Sequence, residues 1–228
     1  MPKHGNFEAD AVSVAKPRWT PAAIALLVVA LLVFGGLLVA IIMANKNPLP
    51  FDEAILNSVL GMRKDSITKV VNWITQIAMP PAWIVTAIAL SVFAKNWRPF
   101  VAFVLAGGIG WIINEVVKHL MLRPRPPEEL RLAVETSSSF PSGHSITAVA
   151  LYGFLLWMVL RYVAKGGWRT FLVVLTGLVI VLLGLTRIYL GVHWTSDVLA
   201  GAALGTVWLV VYTRLIAPRI LADSAEEA

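Results

Sequence analysis

The chain has 228 residues, of which 58% are hydrophobic and only 14% are charged. This composition lies outside the range of soluble globular domains and indicates a protein embedded in lipid. The net charge is +6, but the basic residues separate apolar runs and do not cluster on one polar face, which argues against nucleic-acid binding. The sequence contains no cysteine, so disulfide bonds, thiolate metal sites and cysteine nucleophiles are excluded.

Runs without charge predict an all-α fold, a membrane bundle of six transmembrane helices. The candidate spans cover residues 20–44, 77–94, 99–121, 144–163, 170–186 and 195–216. The first run is too long for a signal-peptide core and is predicted to be retained. A span needs about 20 apolar residues, and the strictly charge-free parts of the last four are shorter, so their terminal polar residues should lie at headgroup depth. We predict one membrane domain over residues 20–217, with cytoplasmic tails at 1–19 and 218–228.

The segment between the first two spans mixes apolar and charged residues. Apolar residues recur at helical spacing beside Asp52 and Glu53, which predicts a short amphipathic helix over residues 51–62. This helix is expected either to lie in the membrane interface or to pack over the bundle. Pro80-Pro81 marks the start of the next helix.

The distribution of basic residues predicts that both termini are cytoplasmic, because short inner loops carry an excess of lysine and arginine. With this orientation the inner side holds Lys3, Lys16, Arg18, Lys95, Arg98, Arg161, Lys165, Arg169, Arg214 and Arg219. We therefore expect a multi-pass protein of the cell (inner, cytoplasmic) membrane.

Three polar clusters at the ends of the apolar runs are the strongest functional signal. They are Lys118-x6-Arg125-Pro126, Pro141-Ser142-Gly143-His144 and Arg187-x5-His193-x3-Asp197. Ionisable groups against the hydrocarbon are costly and by default indicate function. The clusters end the third span, open the fourth, and join the fifth to the sixth. The predicted topology therefore brings all three to the outer face.

The third cluster suggests an activated histidine. His193 and Asp197 are four residues apart, so on a helix the carboxylate can accept a hydrogen bond from one imidazole nitrogen. The other nitrogen is then free to act as a base or a nucleophile. The alternative is a structural pair that orders the start of the helix. Arg187 can bind phosphate oxygens through two parallel hydrogen bonds, or it can simply reach the headgroups.

The second cluster has the composition of a helix start. Ser142 suits the N-cap position, and a helix N-terminus offers free N–H groups and partial positive charge to an anion. Gly143 allows a ligand to approach the backbone closely. His144 would lie in the first turn, where it can protonate a leaving oxygen.

The first cluster is cationic and ends a span, where positive charge is favourable beside the helix C-terminus. We predict Lys118 and Arg125 to be phosphate ligands. Arg123, Glu115 and His119 are predicted supports, with Glu115 pairing with Lys118 or His119.

The combined residues suit phosphoryl transfer in which cations neutralise the phosphate oxygens, one histidine attacks and the other protonates the leaving group. Asp197 is the only carboxylate in the three clusters, and no spacing typical of a metal site is present. We therefore predict no metal and no cofactor.

The order and spacing of the three clusters resemble the signature of the type 2 phosphatidic acid phosphatase superfamily, whose membrane members dephosphorylate lipid phosphates and pyrophosphates. The resemblance spans Lys118 to Asp197. It implies that His193 is the nucleophile, Asp197 its orienting carboxylate and His144 the general acid. The implied phosphate ligands are Lys118, Arg125, Ser142, Gly143 and Arg187. One departure is Thr186, where the family usually has serine; the hydroxyl is retained, so little effect is expected.

The resemblance implies a metal-independent lipid phosphatase acting at the outer face on undecaprenyl pyrophosphate, phosphatidylglycerol phosphate or phosphatidic acid. One alternative is a phosphotransferase, in which an alcohol resolves the phosphohistidine. Another is a non-enzymatic binder or transporter of lipid phosphates, against which the two histidines argue, because binding needs neither. The oligomeric state is open, since Gly107-Gly108 and Gly201 to Gly205 can serve packing within or between chains.

Overall fold

The computed structural model describes residues 19–76 and 80–222, without the side chain of Phe93. The parts of the predicted tails at 1–18 and 223–228 lie outside the described residues. Within the described ranges all regular structure is helical, which confirms the all-α prediction. The helices are α1 Pro21–Met43, α2 Pro50–Leu60, α3 Asp65–Thr75, α4 Pro80–Ala94, α5 Arg98–Met121, α6 Gly143–Tyr162, α7 Gly167–Tyr189 and α8 Thr195–Leu221.

Five helices, α1 and α5 to α8, are long and apolar enough to cross a membrane. The predicted span at 77–94 corresponds to α4, which is too short to cross the membrane alone. It has 15 residues, fewer than the roughly 20 that a crossing needs. Helices α3 and α4 are inclined to each other by 53° and pass the same test only as a pair, which is typical of a broken span or a re-entrant loop; residues 77–79 of the predicted span lie outside the described residues. Residues 19–76 and 80–222 therefore contain five candidate spans, or six when this pair is counted as one.

Helix α2 corresponds to the predicted amphipathic helix. Its inner face carries Asp52 and Leu56, both buried, whereas Phe51 and Ile55 on the other side are exposed. The buried face packs against α7 and α8. Helix α3 was not predicted, although Ile67, Val70, Val71 and Ile74 recur in it at helical spacing; it packs against α7.

Helix α6 lies at the centre of the bundle and α1 at its edge. The membrane-spanning window of α6 is 61% buried, compared with 11% for α1. Around α6 the core is aromatic: Phe154 contacts the rings of Phe103 and Tyr212, and Tyr212 also contacts Trp208. The second polar cluster opens α6 and is therefore held at the centre of the protein.

Two glycines let α8 approach the beginning of α6. A Cβ atom on Gly201 would lie 2.6 Å from the backbone oxygen of Ser142, and one on Gly205 would lie 3.0 Å from that of Ile146. Small residues allow helix backbones to approach this closely. These two glycines therefore serve packing within one chain, and they bring the third cluster against the second.

Candidate active site

The structure brings the cations of the first and third clusters together around Glu135 and Ser137, two residues of the loop that joins α5 to α6. The Nζ atom of Lys118 donates to Ser137 Oγ at 2.9 Å, and Arg125 Nη2 donates to the same oxygen at 3.2 Å. Arg125 also pairs with Glu135 at 3.5 Å. Arg187, from the last turn of α7, pairs with the other oxygen of Glu135. Three positive groups thus converge on one anion-sized region.

Arg187 is almost completely buried, yet its Nε–H group has no hydrogen-bond acceptor among the described residues. Its Nη1 donates to Thr75 Oγ1 at 3.1 Å and its Nη2 to Glu135. A buried donor without an acceptor is costly, so the Nε–H group is suited to an oxygen of a ligand. Thr186 lies beside this group and donates to the Leu183 backbone at 2.8 Å.

Glu135 is a further residue of this group that the sequence pattern did not indicate. Its carboxylate bridges two guanidinium groups and its side chain is 26% exposed, so it lies between the cations and the exterior. A cleft of about 1120 Å³ opens outward at this point and is lined partly by Arg125, Glu135 and Ser137. The carboxylate makes the type of contact that a phosphate would make with the same arginines.

His193 lies just before α8, in the turn that follows α7. This differs from the predicted pairing along one helix face: its Nδ1 faces Asp197 Oδ2 at 3.7 Å, which is longer than a hydrogen bond. The reason is that α8 begins only at Thr195. The Nε2 atom of His193 lies 3.2 Å from Arg125 Nη1.

Burial lowers the pKa of His193 well below its usual range, and the cations of Arg125, Arg187 and Lys118 lower it further. The imidazole is therefore neutral at physiological pH. A neutral imidazole retains the lone pair that nucleophilic attack requires.

Asp197 is held by a full set of hydrogen bonds in the first turn of α8. Its Oδ2 accepts from Ser139 Oγ at 2.5 Å and from the Trp194 backbone at 2.9 Å. Its Oδ1 accepts from Arg123 Nη1 at 2.6 Å. Both oxygens are fixed, and Oδ2 is the one directed towards His193.

The second cluster packs beside this group. Ser142 caps α6, as predicted: its Oγ accepts from the Ser145 backbone at 3.4 Å, and its own N–H donates to the Asp197 backbone at 3.0 Å. A Cβ on Gly143 would lie 3.0 Å from Asn114 Nδ2, so a larger residue would be crowded there. His144 follows Gly143 in the first turn of α6, where its side chain is half-buried.

The three predicted supports lie in different surroundings. Arg123 is 1% exposed and donates to the carboxylates of Asp52 and Asp197. Glu115 does not pair with Lys118: its Oε1 accepts from Asn114 Nδ2 at 2.9 Å, because Lys118 points to the loop. In the part of the chain that the structure describes, the exposed His119 bonds through Nδ1 to the backbone oxygen of Glu115, at 2.7 Å. That ion pairing was predicted wrongly.

The arrangement combines a neutral histidine, an oriented carboxylate, a second histidine and three cations. This set can bind a phosphate group, attack its phosphorus atom and assist departure of the leaving oxygen. The polar loop residues Glu135, Ser137 and Ser139 were not predicted. Their signal in the sequence is the run of acid and hydroxyl side chains over residues 135–139, which Phe140 separates from Pro141.

Comparison with known proteins places this geometry in a family. The model of the PAP2 superfamily matches residues 82–221. Phosphatidylglycerophosphatase B of Bacillus subtilis is 30% identical over 159 residues, which are 68% of this chain and 77% of the relative. An undecaprenyl-diphosphatase of Sulfolobus acidocaldarius is 30% identical over 56% of this chain and 59% of its own.

A solved structure supports the same grouping. The crystal structure of a transmembrane PAP2-type phosphatidylglycerolphosphate phosphatase from Bacillus subtilis superimposes with a TM-score of 0.68 at 26% identity, covering 83% of this chain and 93% of that one. The fold is thus that of a multi-pass membrane protein with this architecture. The chain belongs to the PAP2 superfamily.

Proposed function

We propose that this protein is an integral membrane lipid phosphatase that hydrolyses phosphate monoesters or pyrophosphates of lipids at the outer face of the membrane, without a metal ion. The observation that carries the proposal is the convergence of Arg125 and Arg187 on the Glu135 carboxylate beside His193 Nε2. A phosphate placed between these guanidinium groups would have its phosphorus atom within reach of that nitrogen.

The proposed reaction has two steps. Nε2 of His193 attacks phosphorus in line, the bond from phosphorus to the lipid oxygen breaks, and His144 donates a proton to that oxygen. His144 then removes a proton from water, which attacks the phosphohistidine and releases inorganic phosphate. Asp197 orients His193, while Lys118, Arg125, Arg187, Ser142 and Gly143 hold the phosphate oxygens.

Candidate substrates follow from the relatives. Their names point to phosphatidylglycerol phosphate and undecaprenyl diphosphate, and phosphatidic acid carries the same terminal phosphate. The outer location rests on the excess of basic residues in the loops opposite the site. The site side chains recognise phosphate, so they support all three lipids equally.

The test is phosphate release by purified protein in liposomes that contain each of these lipids in turn. The wild type should release phosphate from at least one lipid and should be insensitive to EDTA. His193→Ala should abolish release, whereas His119→Ala, which alters an exposed histidine outside the site, should retain it. Turnover by His193→Ala would refute the mechanism. Absence of release from every lipid would favour a binder, and dependence on an added alcohol acceptor would favour a transferase.

A further inference from the structure

A chain of buried charges connects helix α2 to the proposed catalytic carboxylate. Asp52, 0% exposed, pairs with Arg123 Nη2 at 3.0 Å, and Arg123 Nη1 pairs with Asp197 Oδ1 at 2.6 Å. Arg123 is the largest fully buried side chain of the described part. Two carboxylates thus share one guanidinium group away from solvent.

Asp52 also fixes the residue next to Asp197. Its Oδ1 accepts from the Ser196 backbone N–H at 2.7 Å, and its Oδ2 accepts from Ser196 Oγ at 2.7 Å. The same hydroxyl accepts from Arg123 Nη1 at 2.7 Å. The first turn of α8 is therefore clamped to α2 at two consecutive residues, 196 and 197.

Asp52 and Arg123 are themselves held by the backbone of the segment before α2. Asp52 Oδ2 accepts from the Leu49 backbone at 2.9 Å, and Arg123 Nη2 donates to the Asn47 backbone at 3.1 Å. A buried ion pair adds little net stability, but removal of one partner leaves an uncompensated charge. The network therefore contributes mainly a fixed geometry, and that geometry includes the oxygen of Asp197 facing His193.

We infer that Asp52 is a positioning residue for the phosphoryl-transfer reaction, which acts through Arg123 and Ser196 to hold Asp197 in the orientation that directs His193. The inference rests on the proposed function. Asp52 lies before residue 82, where the family match begins. The segment between the first two spans is thereby assigned a part in catalysis.

The inference predicts a specific kinetic effect. The hydrogen bonds of Asp52 go to Arg123, Ser196 and Leu49, and not to the phosphate-binding cations. Loss of its charge should therefore impair orientation of the nucleophile while leaving phosphate capture intact. We expect Asp52→Asn to lower kcat roughly tenfold to a hundredfold, with KM and the inhibition constant of inorganic phosphate within about twofold of wild type.

A double-mutant cycle separates positioning from general destabilisation. If Asp52 acts through Asp197, then adding Asp52→Asn to Asp197→Asn should lower kcat much less than it does in the wild type. Glu53→Gln is the matched control, because Glu53 is the exposed neighbour on the same helix; its kinetics should equal those of the wild type. Should Asp52→Asn fail to fold, Ser196→Ala removes only the bridging hydroxyl and should lower kcat several-fold without raising KM.

The experiment measures phosphate release from liposomes for the full chain and these variants. Wild-type kcat in Asp52→Asn, or in Ser196→Ala if the first variant does not fold, would overturn the inference. A KM that rises in proportion to the loss of kcat/KM, or full additivity in the cycle, would also overturn it. Each of these outcomes leaves the proposed function standing, because that function is tested by phosphate release from the wild type.

Discussion

Replacing Glu135 with glutamine tests whether this carboxylate competes with the substrate phosphate. The substitution keeps the size and one acceptor oxygen, but it removes the charge that bridges Arg125 and Arg187. If the phosphate takes the place of the carboxylate, each binding event must first break these two contacts. The variant should therefore bind phosphate more tightly.

The size of the effect follows from the exposure and number of these contacts. A buried hydrogen bond to a charged group contributes about 1.5–3 kcal/mol, whereas an exposed ion pair contributes about 0–1 kcal/mol. Glu135 is 26% exposed, and glutamine retains part of the hydrogen bonding. A net gain of about 1–2 kcal/mol is expected, which corresponds to a roughly 5- to 30-fold lower inhibition constant for inorganic phosphate.

The assay is competitive inhibition of phosphate release by inorganic phosphate, measured in liposomes at fixed salt. Glu128→Gln is the matched control: it makes the same change of charge in the same loop, but its side chain is 88% exposed and pairs with Arg131, not with Arg125 or Arg187. An inhibition constant for Glu135→Gln that equals or exceeds that of the wild type would refute the reasoning, because the carboxylate would then not occupy the anion position.

The remaining predictions concern the proposed catalytic groups. Asp197→Asn should lower kcat about a hundredfold or more with little change in KM, because it impairs orientation and not charge capture. Arg187→Lys should raise KM and lower kcat/KM roughly ten- to a hundredfold, since its fork of donors is lost; unimpaired kinetics in both variants would refute the assigned roles. Lys118→Met removes a cation that lowers the pKa of His193, so the imidazole should protonate at higher pH and the acid limb of kcat/KM should move upward. An unchanged acid limb, equal to that of the control Lys165→Met, would contradict this assignment.

The sequence predicted the all-α membrane fold because long apolar runs leave few alternatives in lipid. It also predicted that the clusters meet, since each lies at a span end on the same face. The detailed contacts of His193 were not predictable, because they depend on where α8 begins. The pattern suggested a shared helix face, whereas the helix starts two residues after the histidine.

The contacts that Asp52 and Glu135 make with the arginines could not be predicted from the sequence, for a different reason. The contact between Asp52 and Ser196 joins residues 144 positions apart, and an acidic residue on a short amphipathic helix is usually solvated. Glu135 lies in a polar loop, where acids are common. Only the folded arrangement of α2, α7, α8 and the loop before α6 brings these carboxylates to the arginines.

The central claim is that His193 carries the phosphoryl group, and the most direct measurement is rapid-quench trapping with a radiolabelled lipid phosphate. The account predicts a label on the protein that is stable in alkali, labile in acid, located on His193 and absent from His193→Ala. Full-rate phosphate release without a labelled protein, or a label on another residue, would contradict the account.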